Sequence, residues 1–347
     1  AQYDVPPDAW YFRANRQSSM PFSILLEIGL QTCGFQAAFM GSALHSDSDL
    51  FFRNLGGTGT QYAEVFPDAG TLTTRARATG VSKAGGMIIE EFDLQVWRGS
   101  QLVYNGHTNF GFFTESALAQ QVGIRNAAER AYVPSESERQ RGRRIVLEQI
   151  PPLTPDDGPI EPDFAENCGN DASPVRTQAR RLCHTEPDQL VPPDPAAALP
   201  ARALLMIDEV DLFIPDGGPH GLGYIHGIKK VDPDEWFFKA HFYQDPVCPG
   251  SLGLESFLQL LKVVALEKWG RTLGNTHRFT PILIGAAHRW QYRGQILPTG
   301  QLVEVEAVVA EIREYPTPLV KADGFLKIDG TVIYEMLDFG VMMVPVD

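Results

Sequence analysis

The feature that most constrains this 347-residue chain is an internal repeat. Residues 8–15 (DAWYFRAN) match residues 234–241 (DEWFFKAH) at four of eight positions. Residues 21–31 (PFSILLEIGLQ) match residues 249–259 (PGSLGLESFLQ) at six of eleven. The offset between the copies changes from 226 to 228 residues, because the first copy lacks two residues between these segments. A repeat of this kind predicts that one structural unit occurs twice.

The repeat continues downstream and defines the expected domains. GTLTTRARATGVS in the first copy aligns with GQLVEVEAVVAEI in the second at an offset of 230 residues. The stretch between the copies is rich in proline and acidic residues, a composition typical of a linker that runs over the surface. We therefore predict an N-terminal unit at residues 1–118, a linker at 119–200 and a C-terminal unit at 201–347.

Each copy is predicted to contain one long helix followed by strands. Residues 23–44 and 251–269 are apolar runs too long for a strand, and both are apolar nearly all round, which predicts burial. Later segments such as LVEVEAV alternate at period two between turn residues, as antiparallel strands do. The pattern indicates an α+β fold in which a sheet surrounds each helix. Residues 236–238 (WFF) are predicted to form a short strand.

Composition indicates which binding partners and which cellular compartment to expect. A formal net charge of −14 argues against nucleic acid or an anionic membrane as the main partner. We find no signal peptide and no uncharged apolar run of the roughly 20 residues that span a bilayer. The four cysteines show no metal-ligand spacing, so we expect reduced thiols, no metal site and a cytoplasmic protein. We also expect a piece of a larger polypeptide, since the chain begins at Ala1 without a methionine and enters the repeat by residue 8.

Acidic and amide side chains recur at the same spacing on both predicted helices. Glu27 and Gln31 lie four residues apart, as do Glu255 and Gln259, so each pair shares one helix face. Burial disfavours an ionised carboxyl group, which suits a general acid that a neighbouring amide can orient. Alternatively, each pair is a buried polar contact that only fixes packing.

His241 precedes the predicted helix start at residues 249–251. The free N–H groups of a helix N-terminus can bind a developing oxyanion. A histidine base, a carboxylic acid and such an oxyanion site together suit proton abstraction next to a thioester carbonyl. A purely structural histidine is the alternative interpretation.

The stretch HFYQDPVCPGSLGLESFLQ resembles the active-site signature of bacterial FabA-type 3-hydroxyacyl-ACP dehydratases. The first copy, with PFSILLEIGLQTCGFQAAFMGSAL and FFRNLGGTG, resembles the histidine-less partner unit in dehydratase regions of polyunsaturated fatty acid synthases. The resemblance implies a double hotdog fold with active sites between the units. It also implies a megasynthase context, a substrate carried on the phosphopantetheine of an acyl carrier protein, and no metal or redox cofactor. It leaves homodimerisation open.

The resemblance also implies individual roles. His241 matches the catalytic histidine, and Gly250 matches the glycine whose N–H meets the thioester carbonyl. Glu27 and Glu255 both match the acidic position, where FabA-type proteins usually carry aspartate. Since glutamate resembles the non-isomerising relatives, double-bond isomerisation stays an open part of the expected activity.

The two copies are therefore expected to be unequal. Asn15 stands where the second copy has histidine, and an asparagine cannot act as a base near neutral pH. We expect a working site made of His241 and Glu27, with Gln31 supporting the acid. The non-productive counterpart would consist of Asn15, Glu255 and Gln259.

The expected activity is dehydration of 3-hydroxyacyl-ACP to 2-enoyl-ACP in polyunsaturated fatty acid biosynthesis. Two alternatives belong to other classes. A hotdog thioesterase would release free acid instead of an enoyl product. A non-catalytic hotdog module would bind the carrier protein without turnover.

Overall fold

The computed structural model describes residues 1–147 and 196–346. The helices are α1 (Trp10–Asn15), α2 (Phe22–Phe39), α3 (Glu115–Ala119), α4 (Ala127–Arg130), α5 (Glu136–Arg141), α6 (Trp236–Ala240) and α7 (Gly250–Leu273). The strands are β1 (Gln2–Asp4), β2 (Phe51–Gln61), β3 (Thr71–Ala84), β4 (Met87–Arg98), β5 (Gln101–Phe113), β6 (Arg143–Ile145), β7 (Glu209–Ile214), β8 (Tyr224–Lys230), β9 (His277–Phe279), β10 (Ala287–Tyr292), β11 (Leu302–Arg313), β12 (Leu319–Ile328) and β13 (Thr331–Pro345).

The strands form one continuous antiparallel sheet that runs through both units. Its order is β1-β3-β4-β5-β2-β10-β13-β12-β11-β8-β7-β6, and β9 pairs separately with β13. The first five strands belong to the N-terminal unit and the rest lie after it in the chain. The two units meet where β2 pairs with β10, with Gly57 opposite Trp290. This junction places the two central helices side by side.

Each unit wraps its part of the sheet around one long helix. α2 packs on β3 and β4, and α7 packs on β11, β12 and β13. Every residue of α7 from Ser251 to Ala265 is buried, which agrees with its nearly continuous apolar sequence. The predicted α+β double hotdog is therefore confirmed.

Two local predictions were wrong. Residues 236–238 belong to the helix α6 and not to a strand, because the aromatic rings pack around one short helical turn. Phe237 and Phe238 are buried there, and Trp236 meets Trp10 of α1 edge to face at 4.9 Å between ring centroids. The helix α2 ends at Phe39, before the predicted residue 44, and a left-handed Gly41 (φ 72°) starts a separate 3₁₀ turn.

The described part of the predicted linker carries structure of its own. Residues 127–141 contain α4 and α5, and β6 adds to the sheet edge by pairing with β7. Arg130 of α4 forms a salt bridge with Glu335 of β13. This part of the chain therefore packs on the C-terminal unit. Residues 148–195 of the predicted linker lie outside the described residues.

Glycines permit the close approach of strands at the junction of the units. A Cβ on Gly57 would lie 2.5 Å from the His107 carbonyl oxygen and 2.6 Å from the Trp290 ring. Gly56 has φ +145°, and a Cβ there would lie 2.5 Å from the Trp290 carbonyl oxygen. Real Cβ atoms do not come this close to backbone, so a larger residue at Gly56 must displace β10, and one at Gly57 must displace both β5 and the Trp290 ring.

We predict that Gly57→Ala lowers the free energy of unfolding by about 1–3 kcal/mol, the range typical of overpacked sites. Urea denaturation followed by circular dichroism measures this change. Gly80→Ala on β3 is the matched control, because its Cβ would meet only the mobile carboxylate end of Glu91, at 3.1 Å. Equal stability of the two variants would contradict the steric role of Gly57.

Candidate functional site

A cavity of about 570 Å³ lies at the junction and takes its lining from both units. From the N-terminal unit it is lined by one face of α2 and by β2 and β5. From the C-terminal unit it is lined by the segment around His241, the first turn of α7 and Tyr292 of β10. The predicted site residues Glu27, Gln31, His241 and Gly250 all line this cavity.

His241 lies directly after α6 and is held in one orientation by the backbone. Its Nδ1 is 2.9 Å from the carbonyl oxygen of Val247. Since a carbonyl oxygen only accepts hydrogen bonds, Nδ1 carries the proton and donates it. The neutral ring therefore keeps the lone pair of Nε2 for accepting a proton. The geometry is that of a histidine prepared to act as a base.

Glu27 reaches from the N-terminal unit to the start of the other central helix. Its Oε1 accepts a hydrogen bond from the Ser251 hydroxyl group at 2.7 Å. Ser251 follows Gly250, the first residue of α7, whose N–H has no partner within the helix. A Cβ on Gly250 would lie 2.7 Å from the Tyr292 ring, so only glycine fits there. The carboxyl group and the free N–H thus share one end of the cavity.

Asn15 retains one of the contacts that His241 makes. Its Nδ2 donates to the carbonyl oxygen of Ser19 at 2.8 Å. Ser19 is equivalent to Val247 at the offset of 228, so the asparagine reproduces the histidine's hydrogen bond to the loop. An asparagine side chain ends in an amide and has no basic nitrogen, so Asn15 cannot act as a base.

Glu255 occupies a closed environment that differs from that of Glu27. Its Oε2 accepts from the backbone N–H of Ser23 at 3.3 Å, and the Lys262 ammonium group lies 3.5 Å from its Oε1. The side chains of Glu255 and Lys262 are 2% and 1% exposed. A buried carboxylate next to a buried ammonium forms a structural ion pair.

Gln259 and Phe22 also differ from their equivalents in the other copy, Gln31 and Gly250. Both ends of the Gln259 amide bond the backbone, with Met206 N–H donating to Oε1 and Nε2 donating to the Leu204 carbonyl oxygen, each at 2.8 Å. Phe22 stands at the position equivalent to Gly250. The residues predicted to be non-productive therefore make packing contacts, whereas the Gln31 side chain lies on the cavity.

Arg53 is a residue that the sequence interpretation missed. It lies on β2 and binds Asp245 through two hydrogen bonds of 2.6 and 2.7 Å, while its Nε donates to Gln295 at 2.9 Å. Asp245 belongs to the loop between His241 and α7, so Arg53 fastens that loop to the other unit. The sequence does show an arginine within the mainly apolar stretch FFRNL, and this unusual position could have marked Arg53 as a residue with a specific partner.

The remaining titratable groups near the junction have structural roles. Burial lowers the pKa of His288 to about 3, so its ring stays neutral beside the Tyr104 hydroxyl group, 3.2 Å away. Burial raises the pKa of the Cys248 thiol well above its usual range, so this cavity residue stays protonated. Among residues 1–147 and 196–346, no group of three or more His, Cys, Asp or Glu is arranged to hold a metal ion.

Cys33 and Cys248 are free thiols, and Cys168 and Cys183 lie outside the described residues. By length and composition alone, the helix α2 is long and apolar enough to cross a membrane. In this fold it is the central helix of the N-terminal unit, and its first turns are buried against the sheet.

Comparison with known proteins shows two similarities in sequence. Residues 199–337 match the family model described as the FabA-like domain. The chain is 30% identical over 344 residues to a component of the polyunsaturated fatty acid synthase of Thraustochytrium sp. (strain ATCC 26185 / S-3). The match covers 96% of this chain and 21% of that relative, so the chain spans about a fifth of the relative's length.

Similar solved structures include a MaoC-like dehydratase (TM-score 0.43, 11% identity) and the 12:0-ACP thioesterase of Umbellularia californica (TM-score 0.44, 8% identity). Each alignment covers all of this chain, with 96% and 93% of the respective structures. The family model and the curated relative support a FabA-type hotdog dehydratase region, and the match to the FabA-like domain lies almost entirely within the C-terminal unit.

We predict that Lys262→Met destabilises the protein by about 3–5 kcal/mol, because it leaves the Glu255 carboxylate buried without a positively charged partner. The double variant Glu255→Gln/Lys262→Met removes both charges and should recover most of that loss. Urea denaturation of the two variants and the parent measures the difference. Equal stability of single and double variants would show that Lys262 and Glu255 are not coupled.

Proposed function

We propose that this chain dehydrates 3-hydroxyacyl thioesters on an acyl carrier protein to 2-enoyl thioesters, in polyunsaturated fatty acid biosynthesis. The observation that carries the proposal is the composite cavity. A histidine with a free Nε2 comes from one unit, and a carboxyl group held at the start of α7 comes from the other. The FabA-like match over residues 199–337 supports the same reaction class.

The reaction is an elimination of water across C2 and C3. Nε2 of His241 takes the proton from C2, and the electron pair forms the double bond as the C3–O bond breaks. Glu27, entering in its protonated form, gives its proton to the departing hydroxyl group, which leaves as water. The imidazolium and the carboxylate that result exchange the proton before the next turnover.

The N-terminus of α7 is proposed to bind the carbonyl oxygen of the thioester. Negative charge develops on that oxygen as the C2 proton leaves, and the free N–H of Gly250 at a helix N-terminus stabilises such charge. The Ser251 hydroxyl group orients the Glu27 carboxyl group. Gln31, one turn later on α2, lines the same cavity and is proposed to support the acid. The reaction requires neither a metal nor a redox cofactor.

The wider context follows from the curated relative, which is part of a polyunsaturated fatty acid synthase. The proposal places this chain within a cytoplasmic megasynthase, where the phosphopantetheine arm of an acyl carrier protein delivers the substrate. Its partners would be that carrier protein and neighbouring domains.

We predict that His241→Ala and Glu27→Gln each lower kcat by about 10²–10⁴-fold, the range typical of lost acid–base groups. The matched control is Glu255→Gln/Lys262→Met, which changes the equivalent acid without leaving a buried charge, and it should retain most activity. Incubation with 3-hydroxyacyl thioesters, followed by mass spectrometry and double-bond localisation, measures turnover and isomerisation together.

Three outcomes would overturn parts of this proposal. A larger loss in the Glu255 variant than in Glu27→Gln would show that the pairing across units is wrong. Free acid in place of enoyl product would identify a thioesterase. Carrier-protein binding without turnover at any chain length would identify a non-catalytic module.

A further inference from the structure

One face of α2 lines the cavity over nearly three turns. The lining positions on this helix are Glu27, Leu30, Gln31, Gly34 and Ala38. Their spacing keeps them on a single stripe, and the stripe is roughly 16 Å long at about 1.5 Å of rise per residue. The cavity therefore continues along the helix, well beyond the acid.

The same stripe on α7 is filled. The equivalent positions, at the offset of 228, are Glu255, Leu258, Gln259, Lys262 and Leu266. Glycine is thus replaced by lysine and alanine by leucine at the two positions furthest from the acid. Lys262 is 1% exposed, and its ammonium group meets Glu255. At these two positions α7 therefore carries much larger side chains than α2 does.

Gly34 of the open stripe lies close to the aromatic ring of Phe52 on β2. A Cβ at this position would lie 3.3 Å from Cε1 of Phe52. The Phe52 ring stacks on Phe110 with 4.7 Å between centroids, and both rings line the cavity together with Phe112. Any side chain on Gly34 would therefore press on this aromatic wall, and a long one would extend into the adjoining cavity.

A glycine inside a helix lowers helix stability relative to alanine, because the unfolded chain gains conformational freedom. Gly34 lines the cavity, and a glycine at this position keeps side-chain atoms out of it. The wall opposite is apolar and suits a hydrocarbon chain.

We propose that Gly34, with Ala38, determines which acyl-chain lengths the site accepts, by keeping the cavity beside α2 and Phe52 open for the distal carbons. This inference rests on the proposed function, since it names the specificity element of the same site. Gly34 acts on the tail of the substrate, far along the helix from Glu27. Its effect should therefore depend on chain length.

Gly34→Leu tests the proposal with short and long substrates, 3-hydroxybutyryl and 3-hydroxydodecanoyl thioesters of pantetheine. We expect kcat/KM for the long substrate to fall at least ~10-fold relative to the short one, through a higher KM. Gly270→Leu is the matched control, because it also replaces a helical glycine and its Cβ would meet Leu266 at an ordinary 3.6 Å. Circular dichroism confirms folding of both variants.

An equal loss on both substrates, or no loss on either, would overturn the role of Gly34. If the unmodified protein turns over neither thioester, the proposed function fails, and binding then decides the inference. Isothermal titration with a non-reactive dodecyl pantetheine thioether should show weaker binding to Gly34→Leu than to the parent. Unchanged affinity for this long probe would reject the inference independently of catalysis.

Discussion

The structure depends on a reciprocal contact between the two central helices. Glu27 of α2 accepts a hydrogen bond from Ser251 in the first turn of α7, and Glu255 of α7 accepts one from the N–H of Ser23 in the first turn of α2. Each acid thus lies at the N-terminus of the other helix. Neither unit contains both an acid and the helix start that it faces, so any site at this junction must be composite.

Joining two such units in one chain allows the two composite sites to diverge separately. In a symmetric pair of identical chains, a substitution changes both sites at once. Here one site keeps His241 beside an open cavity, while the other has Asn15 and the buried pair of Glu255 and Lys262. The Glu255–Lys262 pair is packed inside the core, and Glu255 still links the two helices through the N–H of Ser23.

Much of this fold could be predicted from the sequence, because long apolar runs and period-two alternation report burial directly. The strand predicted at residues 236–238 was wrong because aromatic packing overrode intrinsic strand preference. The pairing of Glu27 with His241 came only from family resemblance, since sequence carries no distance between units. Arg53 and Lys262 escaped notice because their partners are 192 and 7 residues away, and only the folded chain shows both contacts.

The most direct test of the account is the number of ligands that one chain binds. Isothermal titration of the folded protein with a non-reactive acyl pantetheine thioether, checked by native mass spectrometry, measures this stoichiometry. We predict one ligand per chain, because Lys262 and Phe22 occupy the second site. Two equivalent ligands per chain would contradict the claim that the duplicated units retain a single working site.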